Sequence, residues 1–435
     1  MHQAPLQTWD TQTRERHQGE RLAALFTTLR EHNPFYRDKW DGMNSTPSHP
    51  ADLASLPLTT KAELLTDQAR HPPFGRNLTR PASEYIRLHQ TSGTTGVPLR
   101  VLDDPVSWDW WAECWRYIFD AAGVCASDRV MLAFSFGPFI GFWSAQEGLV
   151  RLGAMALTGG GMSSQQRLAM IRDLEATVLI CTPSYAIHLG EVARAEGLDP
   201  YRDLKVRVTL HAGEPGAGIP ATRERIESLW GAEAVDHAGA SEIGAWSFSC
   251  SARNGLHIIE SEYVAEVIDP DTGTLLPEGK EGELVLTNLG RTSFPVVRYR
   301  TGDIVKTRPR GTCSCGRTTL VLEGGVLGRT DNMVTVRGVN VFPSAFQSLF
   351  DSFEDIGEHR VTAYRLEAMD ELHVEFETDV GRDRCGEVAQ AIRQALGIRI
   401  SLEQLPPDSL PRFEMKAKRF FDRREHTWQP GSSNP

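Results

Sequence analysis

The fold class expected from this sequence is α/β. A large N-terminal domain carries parallel sheets flanked by helices and an antiparallel β subdomain, and a small α+β domain follows at the C-terminus. Three observations predict it. From Val130 to Trp230 short apolar runs alternate with amphipathic ones, from Tyr263 the apolar period falls to two, and beyond Asp331 the chain carries an alternation of its own. At 435 residues the chain exceeds what one hydrophobic core normally supports, so two or three domains are expected. The expected division is 1–330 for the large domain, with the β subdomain at about 260–330, and 331–428 for the small one. The polar, Gly- and Pro-containing stretch 429–435 is expected to be a disordered tail.

Near the N-terminus, Leu22, Leu25, Phe26 and Leu29 share one helical face, and Asn33-Pro34 stops that helix. Proline-rich connections at 46–50 and 71–74 follow, with no chemistry assigned. The runs 130–135, 154–157, 178–182 and 206–211 read as strands, and 144–152, 166–174, the stretch from Tyr185, and 222–230 read as helices. Apolar strands joined by crossover helices imply a parallel sheet covered on both faces, with the ligand held by the loops leaving the strands' carboxyl ends. Those loops are 134–143, 159–161, 182–185, 211–215 and 237–242. In the β subdomain Val264, Ile268, Leu284 and Leu286 alternate, and 269–273 (DPDTG) supplies hairpin chemistry. The last block reads as strand 333–337, a helix opened by Pro343, strands 361–365 and 372–376, a helix near 387–396, and strand 398–402.

Composition bounds the partners. A net charge of −11 argues against nucleic acid or an anionic membrane as the main partner, leaving small molecules. The N-terminal residues lack the apolar core of a signal peptide, and the longest apolar run, 130–143, is too short to span a bilayer, so a cytoplasmic protein is expected. Seven cysteines in such a chain fit reduced thiols or metal ligation better than disulfides. The assembly state stays open, a homodimer included.

The loop Thr91-Ser92-Gly93-Thr94-Thr95-Gly96-Val97-Pro98 offers free backbone N–H groups and hydroxyl donors, the inventory that cradles a polyphosphate. Taken alone it is equally an ordinary Ser/Thr/Gly turn, and it lacks the lysine of a Walker loop. Four further stretches accompany it: His237 to Glu242 (HAGASE), Tyr299 to Asp303 (YRTGD), Gly328 to Asp331 (GRTD) running into 336–343 (VRGVNVFP), and 411–419 (PRFEMKAKR). Together the five, covering 87–419, resemble the adenylate-forming superfamily, the acyl- and aryl-CoA ligases. The wording CTPSY from Cys181, GEP from Gly213, RYRTGD from Arg298 and RGVNVFPS from Arg337 is most similar to the phenylacetate-CoA ligase branch.

The resemblance implies the following roles. Thr91, Ser92, Gly93, Thr94, Thr95 and Gly96 grip phosphate, while Gly213, Glu214, Pro215, Asp236, His237 and Ala238 bind the nucleotide. Ser241 touches phosphate and Glu242 holds Mg2+, although Ala240-Ser241-Glu242 alone also reads as a helix N-cap. Asp303 accepts from the vicinal ribose hydroxyls, assisted by Arg329, and Lys416 bridges the carboxylate oxygen and the α-phosphate. Asp331 is the hinge about which the small, mobile domain rotates between the two half-reactions. Val97, Ala238 and Met415 depart from the family's lysine, aromatic and glycine, and loss of the stacking ring costs on the order of 1 kcal/mol of nucleotide affinity.

Two further readings concern the acid and a metal. Phe136, Phe139, Phe142, Tyr185, His211, Ala212, Gly239 and Trp246, with Phe134 and Trp143, are candidate walls of a pocket for a flat aromatic acid, though each ring alone is as readily plain core. Cys250, His257, Cys313 and Cys315 complete a tetrahedral structural zinc site if their segments meet; otherwise they are free thiols and an unrelated histidine. The function expected is ATP-dependent activation of an aryl or arylacetic acid to an acyl-adenylate, then transfer to a thiol, with ATP, Mg2+ and coenzyme A required. A carrier-protein thiol, an amine or another small nucleophile is the alternative acceptor. A binding protein that keeps the fold without catalysis is the rival from another class.

Overall fold

The computed structural model describes residues 7–43, 46–91, 98–134, 136–137, 140–141, 143–214, 216–330, 334–336, 339–341, 343–366, 369–396, 398, 400–412 and 417–424. The N-terminal helix, Thr11–His32, begins where the Asp10 carboxylate accepts from the Thr13 N–H at 2.7 Å. It buries Leu22, Leu25, Phe26 and Leu29, the face expected from their spacing. Asn33 ends it and at once caps the next helix, Pro34–Lys39, by accepting from the Tyr36 N–H at 3.0 Å.

A five-stranded, all-parallel sheet follows, in the spatial order Met155–Thr158, Arg129–Leu132, Val178–Cys181, Val208–His211 and Glu233–Asp236. All residues of Val178–Cys181 and Val208–His211 are buried, as strands covered on both faces must be. Helices Ser164–Asp173, Pro183–Ala195 and Pro220–Trp230 cover one face, where Met131, Leu179, Cys181 and Ala234 join Leu189, Ile226 and Trp230 in one core. The opposite face, with Val130, Leu132, Ile180, Leu210 and Val235, belongs to the larger core.

That larger core is centred on a helix that is not among those expected above. Pro105–Ala121 buries Trp108, Trp110, Trp111, Trp115, Tyr117, Ile118 and Phe119. Most of its circumference is apolar, and only the narrow stripe Asp109, Glu113, Arg116 and Asp120, spaced at helical intervals, carries its period. Its local signals are Pro105 at the first position and Asp104, which accepts from the Ser107 N–H at 2.8 Å.

The antiparallel subdomain is a six-stranded sheet in the order Ser247–Ser249, Leu256–Ile258, Val321–Arg329, Tyr299–Arg308, Glu281–Asn288 and Tyr263–Ile268. The 269–273 stretch is a turn stabilised by Asp269, which accepts from Asp271 and Thr272, and it closes a short hairpin in which Ile268 bridges antiparallel to Leu275, as its residues led one to expect. Toward the C-terminus a four-stranded sheet, Ser401–Leu405, Met369–Thr378, Ile356–Leu366 and Phe420–Asp422, carries helices Pro343–Asp351 and Cys385–Leu396. Phe346, Phe350, Val374, Phe376, Val388 and Ile392 form its own core. The mixed α/β class expected from the sequence is the one observed. Among the described residues no helix is long and apolar enough to cross a membrane.

Candidate active site

The strands that flank the expected phosphate loop, Arg87–Gln90 and Arg100–Asp103, pair antiparallel. The two ends are clasped: the Thr91 N–H donates to the Leu99 carbonyl and the Leu99 N–H to the Thr91 hydroxyl, both at 3.0 Å. Ser92, Gly93, Thr94, Thr95 and Gly96 lie outside the described residues, as do Pro215, Phe139, Phe142, Asp331 and Lys416.

Asp103, at the base of that hairpin, takes two hydrogen bonds from Arg291 at 2.7 and 2.8 Å, and both side chains are fully buried. The same guanidinium donates to the Ser241 carbonyl at 2.8 Å. Ser241 and Glu242 form the turn between Gly239–Ala240 and Gly244–Ala245, a tight antiparallel pair. No helix begins there, which removes the N-cap reading of Ala240-Ser241-Glu242. Gly244 has φ +132, and a Cβ there would lie 1.9 Å from the Tyr263 hydroxyl, so the turn requires glycine.

Glu242 accepts from the Tyr299 hydroxyl at 3.0 Å, and the Lys61 ammonium stands 3.7 Å away. Burial and the neighbouring carboxylate hold the Tyr299 phenol well above its ordinary pKa, so it stays a donor. Tyr299 opens the strand that contains Asp303, which is paired in register with Arg329 and receives a hydrogen bond from its guanidinium at 3.0 Å. Gly302 has φ +75, and a Cβ there would lie 2.8 Å from the Arg329 guanidinium. Hydrogen bonds therefore link the phosphate-loop hairpin, Ser241-Glu242 and the Tyr299–Asp303 strand into one network. Lys61 and Arg291 are the members that sequence reasoning missed. Lys61 opens a helix far upstream and Arg291 lies in an irregular stretch, so neither carries a local signature.

At the carboxyl ends of the parallel strands, His211 and Asp236 are register partners. The Asp236 carboxyl is enclosed by Gly218, where a Cβ would meet it at 2.7 Å, and burial pushes its pKa up to about 7. Burial lowers both His211 and His237 to about 4, so both rings are neutral at pH 7. His211 Nδ1 lies 3.1 Å from the Cys181 carbonyl, and the His237 ring meets Trp115 edge-on at 4.6 Å. The Ala238 N–H donates to the Ser247 hydroxyl at 3.1 Å, and Gly213 turns with φ +94.

The aromatic candidates divide between the two faces. Phe136 is half-buried, edge-on to Trp143 at 4.6 Å, and rests against Gly160. Ala212 and Phe134 pack on the larger core, which contains the buried Trp246, while Gly239 is exposed. Tyr185 belongs to the other core, its hydroxyl 3.1 Å from that of Ser164 and the Arg167 guanidinium 4.9 Å above its ring.

Cys250, His257, Cys313 and Cys315 do meet: one ligand atom from each lies within 4.8 Å of all the others. The Cys250 and Cys313 sulfurs are 3.6 Å apart, and the Cys315 sulfur is 3.4 Å from His257 Nε2. Ligands at zinc distances around a tetrahedral ion stand roughly 3.3–3.8 Å apart, so the donor set and spacing fit such an ion. His257 Nδ1 is engaged by the Thr319 hydroxyl at 2.9 Å, which orients the ring with Nε2 toward the thiols.

A family model described as the AMP-binding enzyme C-terminal domain matches residues 338–424. The chain is 32% identical to the phenylacetate-coenzyme A ligase of Pseudomonas putida, covering 97% of this chain and 96% of that one. It is 32% identical to the phenylacetate-coenzyme A ligase of Thermus thermophilus, covering 98% and 100%. Among solved structures, 2-hydroxyisobutyryl-CoA ligase in the postadenylation state superposes with a TM-score of 0.90 at 31% identity, covering 97% of this chain and 92% of that one. The same ligase in the thioesterification state superposes with a TM-score of 0.73, again covering 97% and 92%, at 32% identity. Near-complete coverage at this identity, with the matching C-terminal domain, establishes that the chain belongs to the phenylacetate-CoA ligase family of adenylate-forming enzymes.

Proposed function

We propose that this protein activates an aryl or arylacetic acid with ATP and passes the acyl group to coenzyme A. One observation carries the reading: the phosphate-loop hairpin, Ser241-Glu242 and the Asp303–Arg329 pair belong to one hydrogen-bonded network. In the first half-reaction a carboxylate oxygen attacks the α-phosphorus, and the bond to the departing pyrophosphate breaks. In the second, the thiol sulfur attacks the acyl carbonyl, its proton leaves, and AMP departs with the electron pair of the broken C–O bond.

Asp303 and Arg329 hold the ribose, Asp236 and the 213–215 turn the base, and Lys416 bridges the reacting oxygens. Glu242 would hold Mg2+, which supplies positive charge to the phosphates when bound. Its nearly buried carboxylate, with the Lys61 ammonium standing off at 3.7 Å, suits that ion. The large domain ends at 330, the small domain runs from 331 to 428, and Asp331 is the hinge between them. Phe136, Ala212 and Trp246 face the aromatic acid.

The test is pyrophosphate release across a panel of aryl, arylacetic and branched hydroxy acids, with and without coenzyme A, followed by mass analysis. Aromatic-acid-dependent release with a thioester product is expected. Release without thioester would move the acceptor to a carrier protein or an amine, and no release with any acid would end the ligase reading.

We also assign a structural zinc ion to Cys250, His257, Cys313 and Cys315. Metal binding to four preplaced ligands is folding free energy, so stripping it loosens the β subdomain. Protein prepared without zinc is expected to melt several degrees lower, and Cys315→Ser to lose the metal, both read by elemental analysis and calorimetry. Metal-free protein with an unchanged melting temperature retires the site.

A further inference from the structure

The small domain meets the large one through two carboxylates, each seated at the N-terminal end of a helix. Glu214 belongs to the GEP turn after strand Val208–His211, and one of its oxygens accepts from the Ser184 N–H at 2.8 Å and from the Ser184 hydroxyl. Ser184 is in the first turn of helix Pro183–Ala195, whose exposed N–H groups and macrodipole favour an anion there. Those bonds hold the carboxylate in one orientation and leave its second oxygen for the Ala417 N–H at 3.1 Å.

The second carboxylate runs the other way. Asp351 closes the small-domain helix Pro343–Asp351 and accepts from the hydroxyl of Thr222, in the first turn of helix Pro220–Trp230, with Arg225 at 3.9 Å. Gln347 donates to its other oxygen at 2.8 Å. Between the two lies Arg419, bound to Glu358 and to the Gln347 side-chain oxygen Oε1 at 2.9 Å. All of these groups except Ala417 line a cavity of about 120 Å³ at the domain junction.

We propose that Glu214 is a positioning residue for adenylation: its carboxylate docks the Ala417 backbone, and with it the adjoining Lys416, against the nucleotide turn. The role rests on the ligase reading above. A bond to a backbone N–H registers the segment whatever side chain follows, and the carboxylate sits one residue after Gly213 of that turn. Asp351 with Thr222 is the second tie, remote from the nucleotide, that squares the small domain on the same face. Both ties must open when the small domain rotates, so they favour the first half-reaction and not the second. The closer superposition on the postadenylation than on the thioesterification state of 2-hydroxyisobutyryl-CoA ligase agrees with that assignment.

The experiment measures the two half-reactions separately in wild type, Glu214→Gln and Thr222→Val: single-turnover pyrophosphate release, and thioester formation from synthetic acyl-adenylate and coenzyme A. Glu214→Gln is expected to slow release on the order of tenfold, the effect of losing one charge-assisted hydrogen bond. Its thioester formation is expected to stay near wild type, and the loss in release is expected to persist at saturating ATP, which separates docking from the nucleotide contact of the same turn. Thr222→Val is expected to act in the same direction more weakly. Equal losses in both half-reactions, or a change confined to KM for ATP, would overturn the proposal. Hydrogen exchange of the 417–424 amides gives a readout independent of turnover. Faster exchange in Glu214→Gln than in wild type supports the tie, and unchanged exchange overturns it. Wild type that releases no pyrophosphate with any acid counts against the ligase reading alone, since the exchange result still decides the tie.

Discussion

Lys416→Ala is expected to slow adenylation by on the order of 10²–10³, while thioester formation from synthetic acyl-adenylate continues. Two anionic groups, a carboxylate and the α-phosphate, must approach in the first step, and charge then builds on the phosphorus centre and the departing pyrophosphate. A compact ammonium placed beforehand neutralises both without reorganising solvent, which accounts for a loss of that size when one preorganised group is removed. Lys416 itself lies outside the described residues; its neighbour Ala417 donates its N–H to Glu214 at 3.1 Å. The neighbouring candidate, Lys418, has its ammonium 5.2 Å above the Phe421 ring, an engagement that draws it toward its own strand. Single-turnover pyrophosphate release decides between them. Wild-type-like release in Lys416→Ala, with a loss in Lys418→Ala, would transfer the role.

Arg291→Met is expected to destabilise the protein by about 3–5 kcal/mol, the scale of breaking a buried ion pair by removing one partner. Neither Arg291 nor Asp103 has any exposed side-chain surface, and Trp111 and Phe294 pack against the guanidinium at 5.2 and 5.7 Å. Burial already pushes the Asp103 carboxyl upward against the pull of Arg291, so without the arginine it must take a proton or remain an unpaired charge. Replacing both partners, as Arg291→Met with Asp103→Leu, is expected to restore most of the stability. It is not expected to restore pyrophosphate release, because the Ser241 carbonyl loses its donor and the turn carrying Glu242 loses its tie to the phosphate-loop hairpin. Urea unfolding and pyrophosphate release on the single and double variants separate the two roles. Recovery of both in the double variant would make the pair purely structural, and wild-type stability in the single one would contradict its burial.

Much of this molecule is legible before folding. The strands of the parallel sheet announce themselves because residues covered on both faces must be apolar, and the Thr11–His32 helix does so because only one face is covered. The 91–98 loop, Ser241-Glu242 and Asp303 stand out as motifs, since the proposed chemistry would use such donors and carboxylates at tight turns. The Trp-rich helix Pro105–Ala121 is harder to read, because most of its surface is apolar and only the narrow stripe Asp109, Glu113, Arg116 and Asp120 carries the period. The Cys/His set lies between the two cases: its residue types are visible, but its two segments are brought together only by the pairing of strands Leu256–Ile258 and Val321–Arg329.

By itself the sequence determined the fold class, four of the parallel strands with the helices that follow them, and the kinds of chemical group available, since each depends on local periodicity or on residue identity at a turn. Only the tertiary structure decided how those groups are held. Asp103 reaches Arg291 across 188 residues and Glu214 reaches Ala417 across 203. Contacts over such distances leave no local trace, because the hydrophobic burial that creates them is non-directional and does not name the polar partners it encloses.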